Sequence, residues 1–385
     1  MMYFVEHLFL FPQTLGNSKG RGTITMRSLG WLLLACAAPS QAWLASRRPL
    51  EPLRRSALAA SSGSDAGEPL VVEVYDTSLR DGTQGEGISV SVNDKLNIAR
   101  RLSSFGAHYI EAGWPGSNPK DSEFFARALK DSDDDEIRLD AATRSKIVAF
   151  GMTRRRGGSV DDDAGLNALL ESRAPVICIV AKASRMHIED MLGATLDEAC
   201  AMARESVARL LAAEHVREVH VDLEHFFDGF RESEEYTLAV LSAAIEGGAS
   251  AVTLCDTNGA SMPWEVAAGT AAACARVDAA GGATRVGIHC HNDRELAVAN
   301  TLSAVRAGAR LVQGTVNGIG ERTGNANLCS ILPSLQLSLG ARALGAAGTA
   351  EGLEGLTSLS RYVDEVRSQS SKRTACRVRV FSLHR

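Results

Sequence analysis

The sequence predicts an α/β fold, a TIM (β/α)8 barrel, on three observations. Eight short apolar runs recur at intervals from residue 71 onward. Each is followed by a loop and then by apolar residues three and four apart, the helical spacing. Nearly every run ends in polar or charged residues, and in this barrel the C-terminal strand ends carry the site. A doubly wound sheet accommodates the same local alternation. It would want a Gly-rich phosphate loop after the first strand, and none follows.

The expected strands are VVEVYDTSL (71–79), YIEAGW (109–114), IVAFG (147–151), VICIVA (176–181), EVHVDLE (218–224), AVTLCDT (251–257), VGIHCH (286–291) and LVQGTV (311–316). Strands buried on both faces call for such nearly continuous apolar runs. The segments DEACAMARESVARLLAAEH (197–215) and DRELAVANTLSAVRAGA (293–309) show the helical period. In the second, Asp293 and Glu295 are expected in the first turn, where the helix dipole favours acids. The barrel is expected to span residues 69–345, after a targeting extension (1–68) and before a short atypical tail (346–385) holding part of a linker helix.

With 385 residues, 45% of them hydrophobic and 23% charged, the composition is that of a soluble globular protein. A formal net charge of −5 gives no footprint for nucleic acid. The eight cysteines are scattered singly without a CxxC pair, so they read as reduced thiols rather than a disulfide framework.

Residues 1–68 differ from the rest. Arg27 precedes the apolar run LGWLLLACAA, which is followed by PSQA, the layout of a signal peptide. The run is too short to span a bilayer. WLASRRPLEPLRRSALAASSGS then follows, rich in Arg, Ser and Ala and nearly free of acids, as in transit peptides. The pair reads as a bipartite plastid presequence, with no membrane association in the mature form. A mitochondrial or cytoplasmic location, or a start at Met26, is the alternative.

The polar strand ends form a set. The first strand leads into LRDGTQGEG with Arg80, Asp81 and Gln84, and the second carries Glu111. On the fifth, His220, Asp222 and Glu224 alternate and share one face, leaving Val219, Val221 and Leu223 for the helices. The sixth ends at Asp256, Thr257 and Asn258, and the seventh at His289 and His291. The eighth leads to NGIGERTGNANL, with Asn317, Glu321, Arg322 and Asn325. Residues two apart on a strand point the same way, so the imidazoles of His289 and His291 converge. Two imidazoles and a carboxylate make a mixed N/O site for a divalent ion, with positions left open for substrate. Asp81 is the candidate carboxylate and Asn325 a fourth ligand. Arg80 beside the metal would steady a polarised carbonyl oxygen or an alkoxide.

Taken singly, the pieces have plainer readings. One HxH is more often core or surface than metal site, and Asp81-Gly82 alone makes a turn. Glu224-His225 reads as a surface pair, NGIGERTGN as a Gly-rich loop, and Cys255 and Cys290 as small buried hydrophobes. DSDDDE (131–136) is a solvated loop; RRR (154–156) is plain surface or a contact for a phosphate-bearing cofactor. Joint placement at strand ends is what raises the set above its parts.

Over residues 70–362 the motifs DTSLRDGTQGEG, IEAGWPGSNPKDSEFF, DLEHFFDGF, LCDTNG, HCHND and NGIGERTGNANL resemble the isopropylmalate, homocitrate and citramalate synthase family, metal-dependent TIM-barrel acyltransferases. GTQGEG, GWPGSNPKD and EHFFDG resemble its citramalate synthase branch. The resemblance implies a Claisen-type condensation of acetyl-CoA with pyruvate to (R)-citramalate and free CoA, opening an isoleucine route. It implies that Asp81, His289 and His291, with Asn325 nearby, bind a divalent metal, and such mixed N/O ligands allow Mg, Mn, Zn or Co. It also implies that Arg80 polarises the keto oxygen, that Gln84, Glu111, Glu224 and Thr257 line the 2-oxo acid pocket, and that the enzyme is a homodimer. Glu224, directly or through water, is the expected base. Family members continue into a linker subdomain with a GGIHVSA-like stretch and a regulatory domain. Residues 366–385 do not resemble these, so the regulatory domain is expected to be absent. Other readings are a synthase for 2-oxoisovalerate or 2-oxoglutarate, a hydroxymethylglutaryl-CoA lyase-like lyase, and a metal-binding barrel without turnover.

Overall fold

The computed structural model describes residues 70–129, 137–344 and 350–370. The expected targeting extension, the acidic loop 131–136 and the tail beyond residue 370 lie outside them. Eight parallel strands close into a barrel in chain order. They are β1 (Glu73–Asp76), β2 (Tyr109–Gly113), β3 (Ile147–Met152), β4 (Val176–Lys182), β5 (Glu218–Glu224), β6 (Ala251–Asp256), β7 (Arg285–Cys290) and β8 (Leu311–Gly314). Among the described residues the helices are α1 (Val92–Phe105), α2 (Pro119–Leu129), α3 (Ala141–Arg144), α4 (Ala164–Glu171), α5 (Leu196–Leu211) and α6 (Phe226–Glu232). They continue with α7 (Glu234–Glu246), α8 (Pro263–Ala279), α9 (Ala297–Ala307), α10 (Leu328–Pro333) and α11 (Leu356–Ser370). The expected barrel is the observed one. No helix among the described residues is long and apolar enough to cross a membrane.

The strands alternate between two apolar layers. On β4, Ile177 and Ile179 face outward into the core shared with Leu166 and Leu169 of α4 and Val207 and Leu210 of α5. Cys178 and Val180 face inward, with Tyr75, Tyr109, Val148 and Phe150. Burial on both faces stabilises by about 1.5–3 kcal/mol per large aliphatic side chain. On β5 the expected division holds: Val219, Val221 and Leu223 join the outer core. His220 and Asp222 are buried, with the His220 ring edge-on to Tyr109. At the N-terminal ends of the strands Arg285 pairs with Glu73 and Glu218, a closed polar layer far along the barrel axis from the C-terminal strand ends.

Two of the boundary differences matter for the site. The first strand ends at Asp76, where residues up to 79 were expected. The chain turns there because Thr77 carbonyl accepts from both Arg80 N and Gly82 N. The Asp76 carboxylate also accepts from Ser78 N at 2.9 Å and Ser78 Oγ at 3.0 Å. The second departure is α9, which starts at Ala297 rather than at Asp293. Glu295 takes a left-handed φ of 57°, and Asp293 accepts two bonds from Arg322 instead of capping the helix. A bidentate guanidinium partner outweighs the modest dipole term.

Burial pushes Asp76 up to about 7, against the pull of its bonds from Ser78. An acid raised in the folded state keeps a proton that the unfolded chain has already lost. Stability from this group is therefore full below its ordinary value and falls as pH rises toward 7. Asp76→Asn should remove that slope. Between pH 5 and 8 its unfolding free energy should gain about 2–3 kcal/mol relative to wild type, at about 1.4 kcal/mol per unit. Urea melts at the two pH values test this; a constant difference would refute it.

Candidate metal centre

The turn after β1 delivers Arg80 and Asp81 to the barrel mouth. Both are largely buried, with side chains 12% and 5% exposed, so little water screens them. Arg80 Nε donates to Glu111 Oε1 at 2.5 Å, its Nη1 lies 3.3 Å from Asp81 Oδ1, and its guanidinium lies 3.8 Å over the Phe150 ring. Glu111, wholly buried on β2, also accepts from the Tyr75 hydroxyl and from Thr77 Oγ1 at 2.6 Å. Its oxygens are engaged in holding Arg80.

Opposite, β7 brings His289 Nε2 to 3.3 Å and His291 Nε2 to 4.0 Å from Asp81 Oδ2. The loop after β8 folds back over this strand end: Ala326 N donates to Cys290 O, and Asn292 N to Gly324 O. This hairpin-like pairing sets Asn325 opposite His291. Two glycines of NGIGERTGN make the fold-back possible. At Gly320 (φ 154°) a Cβ would fall 2.2 Å from Asn325 Nδ2, and at Gly324 (φ 98°) 1.9 Å from Gly318 O.

The three donors Asp81, His289 and His291 are buried, and their ligand atoms lie within 4.8 Å of one another. Asn325 Nδ2 donates to Ile319 O at 3.1 Å, while its Oδ1 is buried with no partner among the described residues. An orphaned buried oxygen beside two imidazoles and a carboxylate fits a divalent cation held by N and O donors. Burial alone would raise Asp81, but the Arg80 guanidinium and the His289 ring outweigh it and hold the carboxyl far below the ordinary range. Burial would lower His289, but the bond and charge of Asp81 win and raise it. Burial, reinforced by His289, pushes His291 down to about 4, so its imidazole is neutral and its lone pair free, as a ligand must be. A second close group, Glu111, Cys178 and Asp222, lies deeper. Its carboxylates are already engaged, Glu111 with Arg80 and Asp222 with Gln313.

The remaining expected residues lie on the rim. Glu224 ends β5 and is ion-paired with Lys182, its register partner at the end of β4. Thr257 Oγ1 accepts from His225 N at 2.9 Å, which ties the ends of β5 and β6. His225, at a left-handed φ of 58°, stacks on His187 at 3.7 Å, so it is more than the surface pair first expected. Gln84 is exposed at the end of the short turn Gly82–Gln84, its N donating to Asp81 O at 3.1 Å. RRR divides: Arg154 is buried against Glu198 at 2.8 Å and Glu205 at 2.7 Å, tying the β3 loop to α5, while Arg155 and Arg156 are exposed. Sequence reasoning missed Lys182, His187 and Gln313. Gln313 left one signal, a polar residue inside an apolar strand run; Lys182 lies one residue past the expected strand, and His187 left none.

The HMGL-like family model matches residues 71–343. An (R)-citramalate synthase of Aquifex aeolicus is 48% identical over 77% of this chain and 52% of its own length. One from Streptomyces coelicolor is 47% identical over 76% and 51%. The chain thus spans about half the length of these curated relatives. A solved HMG-CoA lyase from Bacillus subtilis superposes at a TM-score of 0.59 with 22% identity, covering 77% of this chain and 94% of its own, a likeness of fold. With the barrel and most of its length matched, the chain belongs to the HMGL-like family, and (R)-citramalate synthases of that family resemble it at 42–48% identity.

Proposed function

We propose that the protein is an acyltransferase that condenses acetyl-CoA with pyruvate to (R)-citramalate and releases CoA. The observation that carries this reading is the meeting of Arg80 with the Asp81–His289–His291 group at the mouth of a barrel that resembles the (R)-citramalate synthases. A divalent ion (Mg, Mn, Zn or Co) held by Asp81, His289 and His291, with Asn325 beside them, would supply Lewis acidity toward the keto oxygen of the 2-oxo acid. Arg80, fixed by Glu111 and Phe150, points a guanidinium at the charge that develops on that oxygen. Thr257, already accepting from His225 N, keeps its hydroxyl proton to give to the substrate carboxylate. Gln84 adds its amide on the open side. Trp114, Phe150 and Val180 form an apolar wall beside Arg80 that suits a small acceptor side chain. Glu224 takes the methyl proton of the thioester, and Lys182 holds its carboxylate in place. The same reading puts the product at the start of an isoleucine route, the mature protein in the plastid, and two copies in the assembly.

Thiol release from acetyl-CoA tests it. The purified chain is offered pyruvate, 2-oxoisovalerate and 2-oxoglutarate in parallel, with Mg or Mn and an EDTA control. EDTA-sensitive release with pyruvate alone is expected. Release with another acceptor instead moves the reading to a sibling synthase, and none from a folded, metal-loaded protein overturns it.

A further inference from the structure

Gln313 is wholly buried on β8, and the reading above gives it no part. Its carboxamide joins three other strands. One end lies 2.8 Å from His289 Nδ1; the other donates to Asp222 Oδ1 at 2.8 Å and to Thr253 Oγ1 at 3.2 Å. Asp222 decides which end is which. Burial and Glu111 raise Asp222, while His289, Arg80 and the Gln313 bond favour its ionised form; as a carboxylate it only accepts, so the amide nitrogen faces it, while Thr253 hydroxyl serves either way. The amide oxygen is then on the His289 side, and it also only accepts. His289 Nδ1 must therefore carry the hydrogen.

We infer that Gln313 is a positioning residue that sets the tautomer of His289, keeping the hydrogen on Nδ1 and the Nε2 lone pair turned toward Asp81. This rests on the metal-centre reading and deepens it. Nε2 is the ring nitrogen 3.3 Å from Asp81 Oδ2. With Nδ1 keeping its hydrogen, Nε2 faces the Asp81 oxygen across a cation: a proton, in the imidazolium that Asp81 favours, or the metal ion that displaces it. Asp222 acts at one further remove, because it prevents the amide from turning over. A flipped amide would set oxygen against carboxylate and hydrogen against Nδ1, which would move the ring hydrogen to Nε2 and close the ligand position. His291 has no such device: its Nδ1 is buried without a partner among the described residues. The ligand pair is thus asymmetric, one ring fixed by a relay across β5, β6 and β8 and the other carried by the fold-back loop.

The test is a cobalt(II) titration of the full chain, followed by visible absorption. Gln313→Met keeps most of the volume and removes both hydrogen-bonding ends. It should weaken cobalt binding about 10–100-fold, the usual cost of losing an outer partner of a ligating histidine, and alter the ligand-field bands. Gln313→Glu should be as weak, because it sets a second carboxylate against Asp222. The pair Gln313→Glu with Asp222→Asn reverses donor and acceptor at unchanged net charge and should recover binding to within several-fold of wild type. A residue that merely fills space would not be rescued this way. Wild-type affinity and spectrum in Gln313→Met, or no rescue by the folded double variant, overturns the inference alone. A wild-type chain that binds no cobalt overturns the metal centre and this inference with it. Should the variants fail to fold, long-range proton–nitrogen spectra of the zinc-loaded wild type decide: hydrogen on His289 Nδ1 is expected, and hydrogen on Nε2 refutes it.

Discussion

His291→Ala is expected to lose divalent-metal binding by more than about 100-fold, and turnover with it, while the barrel stays folded; His289→Ala should do the same. The estimate is a lower bound, since losing an outer partner of a ligand already costs 10–100-fold. The backbone around position 291 does not depend on the ring. His291 N donates to Asp256 O at 3.2 Å, and the bridge to Asn325 is also main chain. Among the described residues the ring's Nδ1 has no partner and its Nε2 faces only the site, 4.0 Å from Asp81 Oδ2, so its removal leaves the apolar layers intact. What it does remove is one of three donors within 4.8 Å. With the ion lost, Asp81, Glu111 and Asp222 are left facing Arg80 and the His289 ring, whose charged form Asp81 favours. Metal content after gel filtration, thiol release, and the far-ultraviolet circular dichroism melt should be measured together. Full activity in either variant would remove these residues from the centre. Lost activity with a lost fold would be uninformative, which is why the melt belongs in the same experiment.

The barrel was legible because its strands obey a local rule. A parallel strand covered on both faces needs a short run of apolar residues, and VICIVA and AVTLCD leave little else to read. HxH was legible for the same reason, since period two puts both rings on one side. Groups whose meaning depends on a distant partner were not legible. Glu111 reads from sequence as a pocket residue, yet its oxygens are engaged with Tyr75, Thr77 and Arg80. Gln313 matters only because β5 and β7 bring Asp222 and His289 to its two ends, 91 and 24 residues away in the chain. Arg154 looked like part of a cationic patch until α5 supplied Glu198 and Glu205. Asp293 followed a sound dipole rule at the start of α9 and was overruled by Arg322. In each case a long-range ion pair or hydrogen bond, absent from any sequence window, outweighed a local preference worth a few tenths of a kcal/mol to about 1 kcal/mol.

Arg80→Ala is expected to lower kcat about 100–1,000-fold while KM for pyruvate changes little, the range found when one preorganised donor to a developing oxyanion is removed. The split follows from where the guanidinium is held. Nε is committed to Glu111 and one face lies on Phe150, so the remaining N–H groups are aimed by the protein before substrate arrives. Such a group gains most when charge appears on the keto oxygen and little when neutral pyruvate carbonyl binds. Arg80→Lys should rescue poorly. An ammonium cannot keep the Glu111 bond, the stacked plane over Phe150 and a free donor at once. The alanine variant also leaves Glu111 buried without its cation, though Tyr75 and Thr77 still donate to it. A lower melting temperature is therefore expected in Arg80→Ala, and a smaller fall in Arg80→Lys, where a positive charge remains. Steady-state rates for both variants, with pyruvate varied at saturating acetyl-CoA, separate the two effects. An unchanged kcat in either would take Arg80 out of the chemistry. A rise in KM alone would make it a binding group for the substrate carboxylate, and the oxyanion role would then have to lie with the ion held by Asp81, His289 and His291.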